Sequence, residues 1–170
     1  MPVIKTHTNN FMKLEKITVT TPIGVAKING DADGIRSITF TDKKTPPTEI
    51  IPEVLLECVS QLKEYFNGTR TEFTVKLNPQ GTEFQRRTWE SLQEIPFGKT
   101  MSYLEQSKVL NKPKAIRAVA NANGKNLLGI LIPCHRAIGS DGSLTGYAWG
   151  LWRKEWLLNH ESKHKQQTLF

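Results

Sequence analysis

The chain has 170 residues, 38% of them hydrophobic, and a formal net charge of +7. That apolar content is enough to bury a core in one large or two small domains, while no run approaches the roughly 20 apolar residues of a membrane-spanning helix. Two cysteines exclude a disulfide-dense scaffold, although a single Cys58–Cys134 bridge stays open on count alone.

Residues 1–8 contain no continuous apolar segment of the kind a secretory leader needs, so the chain is expected to be intracellular. The strand signals follow. Lys16-Ile17-Thr18-Val19-Thr20 alternates and is β-branched, Thr21-Pro22-Ile23-Gly24 breaks it, and Gly30–Gly34 is a turn before a second alternating run, 35–41. Asp31 and Asp33 sit in that turn without the terminal glutamate of a calcium loop. Pro46-Pro47 precedes a helix expected over residues 49–66. Val54, Leu55, Cys58, Leu62 and Phe66 share one face of it, and Asn67-Gly68 stops it. Cys58 belongs to that face and reads as a core residue. Residues 72–77 read as one more strand, and Asn78-Pro79-Gln80-Gly81 as a linker dividing the chain into 1–79 and 80–170.

The second part reads as mainly helical, which makes the whole an α+β chain. Thr82 followed by Gln85 is a capping-box signature. Phe84, Thr88, Trp89 and Leu92 continue an apolar stripe to Ile95-Pro96. Ser102 is the N-cap of a short helix, and Asn111-Lys112-Pro113 leads into another over residues 114–122, giving a helix-turn-helix shape. Ala115, Ala118, Ala120 and Ala122 leave the second helix with little relief. Such a surface suits close approach to a partner backbone and equally suits close packing between helices. The tail, 162–170, is polar and expected to fray. Charge is uneven: residues 1–80 carry 10 Lys/Arg against 9 Asp/Glu, whereas 81–161 carry 11 against 7. A basic second half fits a polyanionic partner as well as an ordinary solvated surface.

The chemistry concentrates at 130–136, Ile-Leu-Ile-Pro-Cys-His-Arg. An apolar stretch, 127–132, reads as a buried strand or extended segment that Pro133 ends, which leaves Cys134 at the margin of a rigid element. A free thiol has a pKa near about 8.5 and needs a base or nearby positive charge to become a nucleophile. His135 and Arg136 offer both in type. A small core cysteine is the other reading of the same residues. A zinc site is not: Cys58, Cys134, His135 and His160 lack any compact ligand spacing.

Pro133-Cys134-His135-Arg136, then Gly146-Tyr147, then Lys154-Glu155-Trp156-Leu157-Leu158-Asn159-His160-Glu161 together resemble the active-site region of O6-alkylguanine-DNA alkyltransferases. The resemblance extends upstream through Gly81–Gln85, Ile95-Pro96-Phe97-Gly98, Ser102-Tyr103 and Arg117-Ala118-Val119. It implies a ribonuclease-H-like N-terminal domain before a winged-helix-like domain, and repair by a single irreversible transfer of an alkyl group from O6-alkylguanine, and from O4-alkylthymine, to Cys134. The base is flipped from the minor-groove side. The resemblance assigns His135 the thiol proton, Glu161 the orientation of the histidine, Asn126 the organisation of the active-site turn, and Tyr103 a contact to guanine. Arg117 would enter the base stack. Ala118, Ser102, Asn123, Lys125 and Arg136 are the remaining DNA-contact candidates, and Tyr147, Ala137, Ala148 and Trp149 are the pocket candidates. Ala137 and Trp149 depart from the valine and glycine of many members and bear on the alkyl groups accepted. No metal or diffusible cofactor is implied, nor a membrane. The partner implied is double-stranded DNA containing O6-alkylguanine, met by a monomer, in the cytoplasm of a prokaryote or the nucleus of a eukaryote. A noncatalytic sensor of alkylated DNA would lack Cys134. A helix-turn-helix regulator would show long polar side chains on its reading helix, and a cysteine hydrolase would turn over.

Overall fold

A computed structural model of the chain describes residues 13–167; the leader reading, on residues 1–8, lies outside them. The first half opens with β1 (Glu15–Thr21), β2 (Gly24–Asp31) and β3 (Gly34–Thr41), an antiparallel meander in that order. Tight turns join the strands. Gly24 and Gly34 take φ of +106° and +130°, and at each a Cβ would sit 2.8 Å from a backbone oxygen, so both turns need glycine. Asp31 ends β2 and closes the turn: Oδ1 accepts from the Asp33 amide, and Oδ2 pairs with Arg36. Ile17, Ala26, Ile28, Ile38 and Phe40 are buried, as alternation required.

Helix α1 (Glu53–Phe66) covers the sheet with Leu55, Cys58 and Leu62, all buried. It starts four residues later than the apolar spacing suggested. Pro52 is the N-cap, and a proline drives the residue before it out of the helical region. The stop at Asn67-Gly68 is as expected, with Gly68 at φ +80°. Cys58 and Cys134 are both free, which removes the disulfide alternative.

Residues 72–77, expected as a strand, and 127–132, expected as a buried strand or extended segment, form no strand, for one reason. The outer edge of β3 is divided between them. Its first part bonds residues 76 and 78 (Ile35 N to Lys76 O, 2.9 Å; Asn78 N to Ile35 O, 2.8 Å). Further along, Ile38 N donates to Leu127 O at 2.7 Å and Gly129 N to Ile38 O at 3.0 Å. Each segment therefore makes one bridge, at Leu77 and at Leu128. The rest of residues 72–77 is pinned by a side chain: the Gln61 amide accepts from Thr74 N and donates to Thr74 Oγ1. Residues 129–132 turn away, with Ile130 at φ +70°.

The second half comprises α2 (Glu83–Gln93), β4 (Met101–Ser102), α3 (Tyr103–Val109), α4 (Ile116–Gly124), a 3₁₀ turn (Cys134–Arg136), β5 (Ala137–Ile138) and α5 (Leu151–Gln167). β4 and β5 pair in parallel. Capping boxes open both α2 (Thr82/Gln85) and α3 (Ser102/Glu105). α4 begins two residues later than expected, because Pro113 and Lys114 form the turn ahead of its N-cap, Ala115. α5 does not fray at Ser162; it continues to Gln167, and only 168–170 of the expected tail lie outside the described residues. The buried cluster runs without interruption from Ile17 and Leu62 through Trp89 and Ile132 to Leu157. Among the described residues no helix is long and apolar enough to cross a membrane.

Candidate active site

The turn at 126–134 is built by one amide. Asn126 is buried; its Nδ2 donates to Ile132 O at 3.0 Å and to Cys134 Sγ at 3.3 Å, while its Oδ1 accepts from Leu128 N at 2.9 Å. It closes a loop that forces Ile130 into the left-handed region, a genuine outlier for a β-branched residue. Strain of this kind, on the order of 1–3 kcal/mol, persists only where the surroundings hold it. The result presents Cys134 at the first position of the 3₁₀ turn, buried, with its sulfur on the wall of a cavity of about 520 Å³. Tyr103, Ala120, Asn123 and Gly124 form one side of that cavity and Thr145–Ala148 the other. The volume suits a small organic ligand. A larger cleft of about 790 Å³ lies behind the turn and reaches Pro133 and Arg136, but neither cysteine lines it.

Burial pushes the Cys134 thiol up from its ordinary value, opposed by the Asn126 hydrogen bond and the Lys154 charge. The thiol therefore needs a base. Burial also drives Cys58 up, to about 12, with nothing beside it in compensation, which fits an inert core residue. His135 is fully buried, its Nε2 2.5 Å from Glu161 Oε2, and its Nδ1 has no hydrogen-bond partner. Since an ionised carboxylate only accepts, Nε2 carries a hydrogen and donates it to Glu161. Burial alone would raise the Glu161 carboxyl. The charge and hydrogen bond of His135, and then those of Arg136, outweigh it and hold the group well below the carboxylate range.

Tyr103 opens α3 and donates from its hydroxyl to Thr145 O at 2.9 Å across the cavity mouth; burial raises its pKa. The same oxygen accepts from Lys154 Nζ at 3.3 Å, which also donates to Ala137 O at 2.6 Å and Gly146 O at 3.2 Å. Burial lowers Lys154 to about 8. In the sequence Lys154 stands out only as part of the 154–161 segment that carries the family resemblance. Its signal was present: Lys154, Leu157 and Glu161 fall at i, i+3 and i+7, one face of α5, and all three are buried.

Several expected roles do not survive the geometry. Arg136 does not face outward: it is buried, with Nε and Nη2 on the Glu161 carboxylate and Nη1 on Ile95 O. Asn123 lines the cavity, but its amide is committed to a reciprocal pair with Gln106 at 2.7 and 3.0 Å that joins α3 to α4. Ala137 and Trp149 do not line the cavity. Ala137 is buried beneath it, its carbonyl held by Lys154. Trp149 packs edge-on to Phe40 and to Tyr147, so it backs the tyrosine from the sheet side. Tyr147 and Ala148 do line the cavity.

On the outer side of α4, Arg117, Ala118 and Lys125 are exposed. Arg117 makes no side-chain hydrogen bond or ion pair among the described residues. It lies one turn before Ala120 and two before Gly124, both cavity residues, so the cavity mouth and this helix face adjoin. The Ser102 hydroxyl accepts from Glu105 N as a cap and keeps its own hydrogen for a further acceptor. Among the described residues no group of three or more His, Cys, Asp or Glu is placed to hold a metal ion.

Taken together, a three-stranded α/β half joined to a helical half, with a buried Cys-His-Glu set opening beside an exposed small-residue helix, defines a thiol-dependent protein with a surface suited to a large partner. Residues 83–163 match the family model described as the 6-O-methylguanine DNA methyltransferase, DNA binding domain, and residues 14–79 match that family's ribonuclease-like domain. The chain belongs to this family. It is 41% identical over 160 residues to a methylated-DNA–protein-cysteine methyltransferase of Mycolicibacterium paratuberculosis, covering 92% of this chain and 97% of that one. It is 45% identical over 145 residues to the protein of that name from Methanosarcina acetivorans, covering 82% and 93%. Its fold matches the crystal structure of Mycobacterium tuberculosis O6-methylguanine methyltransferase with a TM-score of 0.80 at 38% identity, covering 89% and 94%. The M. tuberculosis OGT structure in complex with DNA matches at 0.79 and 40%, covering 86% and 92%.

Proposed function

We propose that this protein repairs double-stranded DNA by moving an alkyl group from guanine O6, and from thymine O4, onto its own Cys134, once per molecule. The observation that carries the reading is Cys134 Sγ on the wall of a base-sized cavity, with His135 and Glu161 buried directly behind it. A damaged base inside a duplex is out of reach, so it must be turned out of the stack into that cavity. The low relief of α4 lets its backbone approach the minor groove, Arg117 fills the gap in the stack, and Ser102, Ala118 and Lys125 meet the sugar-phosphate backbone.

In the reaction the thiol proton passes to His135 Nδ1 through one water, since no direct hydrogen bond joins the two. The S–C bond forms as the C–O6 bond breaks. Tyr103 supplies a proton to the departing guanine, which leaves neutral, and the Lys154 ammonium beside the phenol steadies the charge left there. Glu161 holds His135 and favours its imidazolium. The thioether is stable and the described residues hold no second thiol near Cys134 to remove the alkyl group, so the protein is consumed. The division at residues 79/80, the monomeric state and action inside the cell where DNA is kept belong to the same reading. Incubation with a duplex carrying one labelled O6-methylguanine tests it. Label should move to protein up to one equivalent and stop, and Cys134→Ala should bind the duplex yet take up none. Continued release of label into solution would sink the proposal.

A further inference from the structure

The Glu161 carboxylate is held by more than the second half of the chain. Its Oε1 accepts from Arg136 Nε at 2.7 Å and from Gly98 N at 3.4 Å. Its Oε2 accepts from His135 Nε2 at 2.5 Å, from Arg136 Nη2 at 3.2 Å, and at 2.6 Å from the hydroxyl of Tyr65, in α1 of the first half. Tyr65 is fully buried and grips two successive residues of α5: its hydroxyl takes Glu161, and its carbonyl accepts from His160 Nε2 at 2.7 Å. The ring has no room to rotate away, being walled by Phe73, Phe97 and His160 at centroid distances of 5.5, 6.1 and 5.1 Å.

We propose that Tyr65 is a positioning residue for alkyl transfer, reaching the Cys134–His135–Glu161 set from the N-terminal half. It acts by sharing Glu161 Oε2 with His135. The hydroxyl does two things there. It fixes the rotation of the carboxylate, so that His135 Nδ1 faces the thiol side. It also draws off part of the negative charge that would otherwise hold the imidazolium, which leaves His135 freer to take and give a proton. Burial and the adjacent carboxylate raise the phenol well above its ordinary value, so it stays a donor across the working range. A hydrogen bond to a charged acceptor is strong enough for its loss to be read in a rate.

This rests on the proposed transfer to Cys134, and the experiment separates the two. Single-turnover transfer from an O6-methylguanine duplex is followed from pH 5 to 9 for the wild type, for Tyr65→Phe, and for protein carrying 3-fluorotyrosine at position 65. Duplex affinity and thermal midpoint are measured alongside. Tyr65→Phe should slow transfer by about three- to tenfold and move the acidic limb of the profile to higher pH by about half a unit, with duplex affinity unchanged. The fluorinated ring, a stronger donor that preserves packing, should move that limb the opposite way. A wild type that accepts no alkyl group would overturn the transfer reading itself. An active wild type whose limb stays fixed in both variants, or moves the same way in both, would overturn the role of Tyr65, even if stability fell.

Discussion

At the scale of single residues, the nucleophile is made by two opposed effects. Burial disfavours the Cys134 thiolate, and Asn126 and Lys154 favour it. Lys154 is also the group whose titration falls within a measurable window. Its ammonium, lowered to about 8 by burial, is charged at neutral pH and loses its proton as pH rises through that value. Support for the thiolate and for Tyr103 therefore fades above pH 8. Lys154→Met keeps the volume and removes the charge, so transfer should be slower at pH 7 by about tenfold, and the alkaline fall-off of the wild type should vanish. The fold should survive, because an unpaired buried charge has been replaced by an apolar chain. A pH profile of single-turnover rates for both proteins checks this.

Among the elements, α3 and α4 form the proposed recognition surface, and their placement is largely legible in the sequence. The capping boxes at Thr82/Gln85 and Ser102/Glu105 are local signals, each closed by the residues that encode it. The α1 face repeats at helical spacing and is buried as that spacing requires. The two late helix starts have local causes, Pro52 and Pro113; the other differences are non-local. Residues 72–77 and 127–132 carry strand-like composition, but a single sheet edge serves both, and nothing in either segment records that competition. Arg136 is a DNA-contact candidate only by resemblance; the carboxylate that buries it is 25 residues away in sequence. Trp149 is a pocket candidate by its place in the family's motif, while its partner Phe40 lies on β3, far away in sequence. Lys154 and Glu161 share a helix face in plain view, and only their three-dimensional partners give the face a purpose. The exposed side of α4 yields a sharper expectation. Arg117→Ala should slow repair in duplex DNA by at least tenfold more than reaction with the free base O6-methylguanine. Equal slowing of both would remove Arg117 from base extrusion.

For the whole molecule, two connections decide how the halves act as one. Arg153 of α5 reaches the sheet, donating to Ile23 O at 2.7 Å, to Trp149 O at 2.7 Å and to Asp42 Oδ1 at 2.6 Å. The Asp42 side chain is 79% exposed, and an ion pair so wetted contributes little, about 0–1 kcal/mol. The two carbonyls matter more. Arg153→Ala should cost about 2–4 kcal/mol by stranding them, whereas Asp42→Ala should cost under about 1 kcal/mol, in denaturant melts of the two variants. The second connection is Glu161. Its folded carboxyl sits well below its ordinary value, so its contribution to stability is complete above about pH 4.5 and is lost as pH falls from there toward the folded value. Glu161→Gln should therefore be less stable at pH 7 and show a shallower loss between about pH 4.5 and 2.

One molecule should perform one transfer, and the atom that receives the group is the centre of the account. The most direct measurement is intact and peptide mass spectrometry after mixing the protein with an O6-methylguanine duplex. The predicted result is a single added methyl group, located on the peptide containing Cys134, with guanine restored in the DNA and no further uptake on adding fresh duplex. An unmodified Cys134 in protein that has bound the damaged duplex would contradict it, and would make the cavity a reader of alkylated bases instead of their repair site.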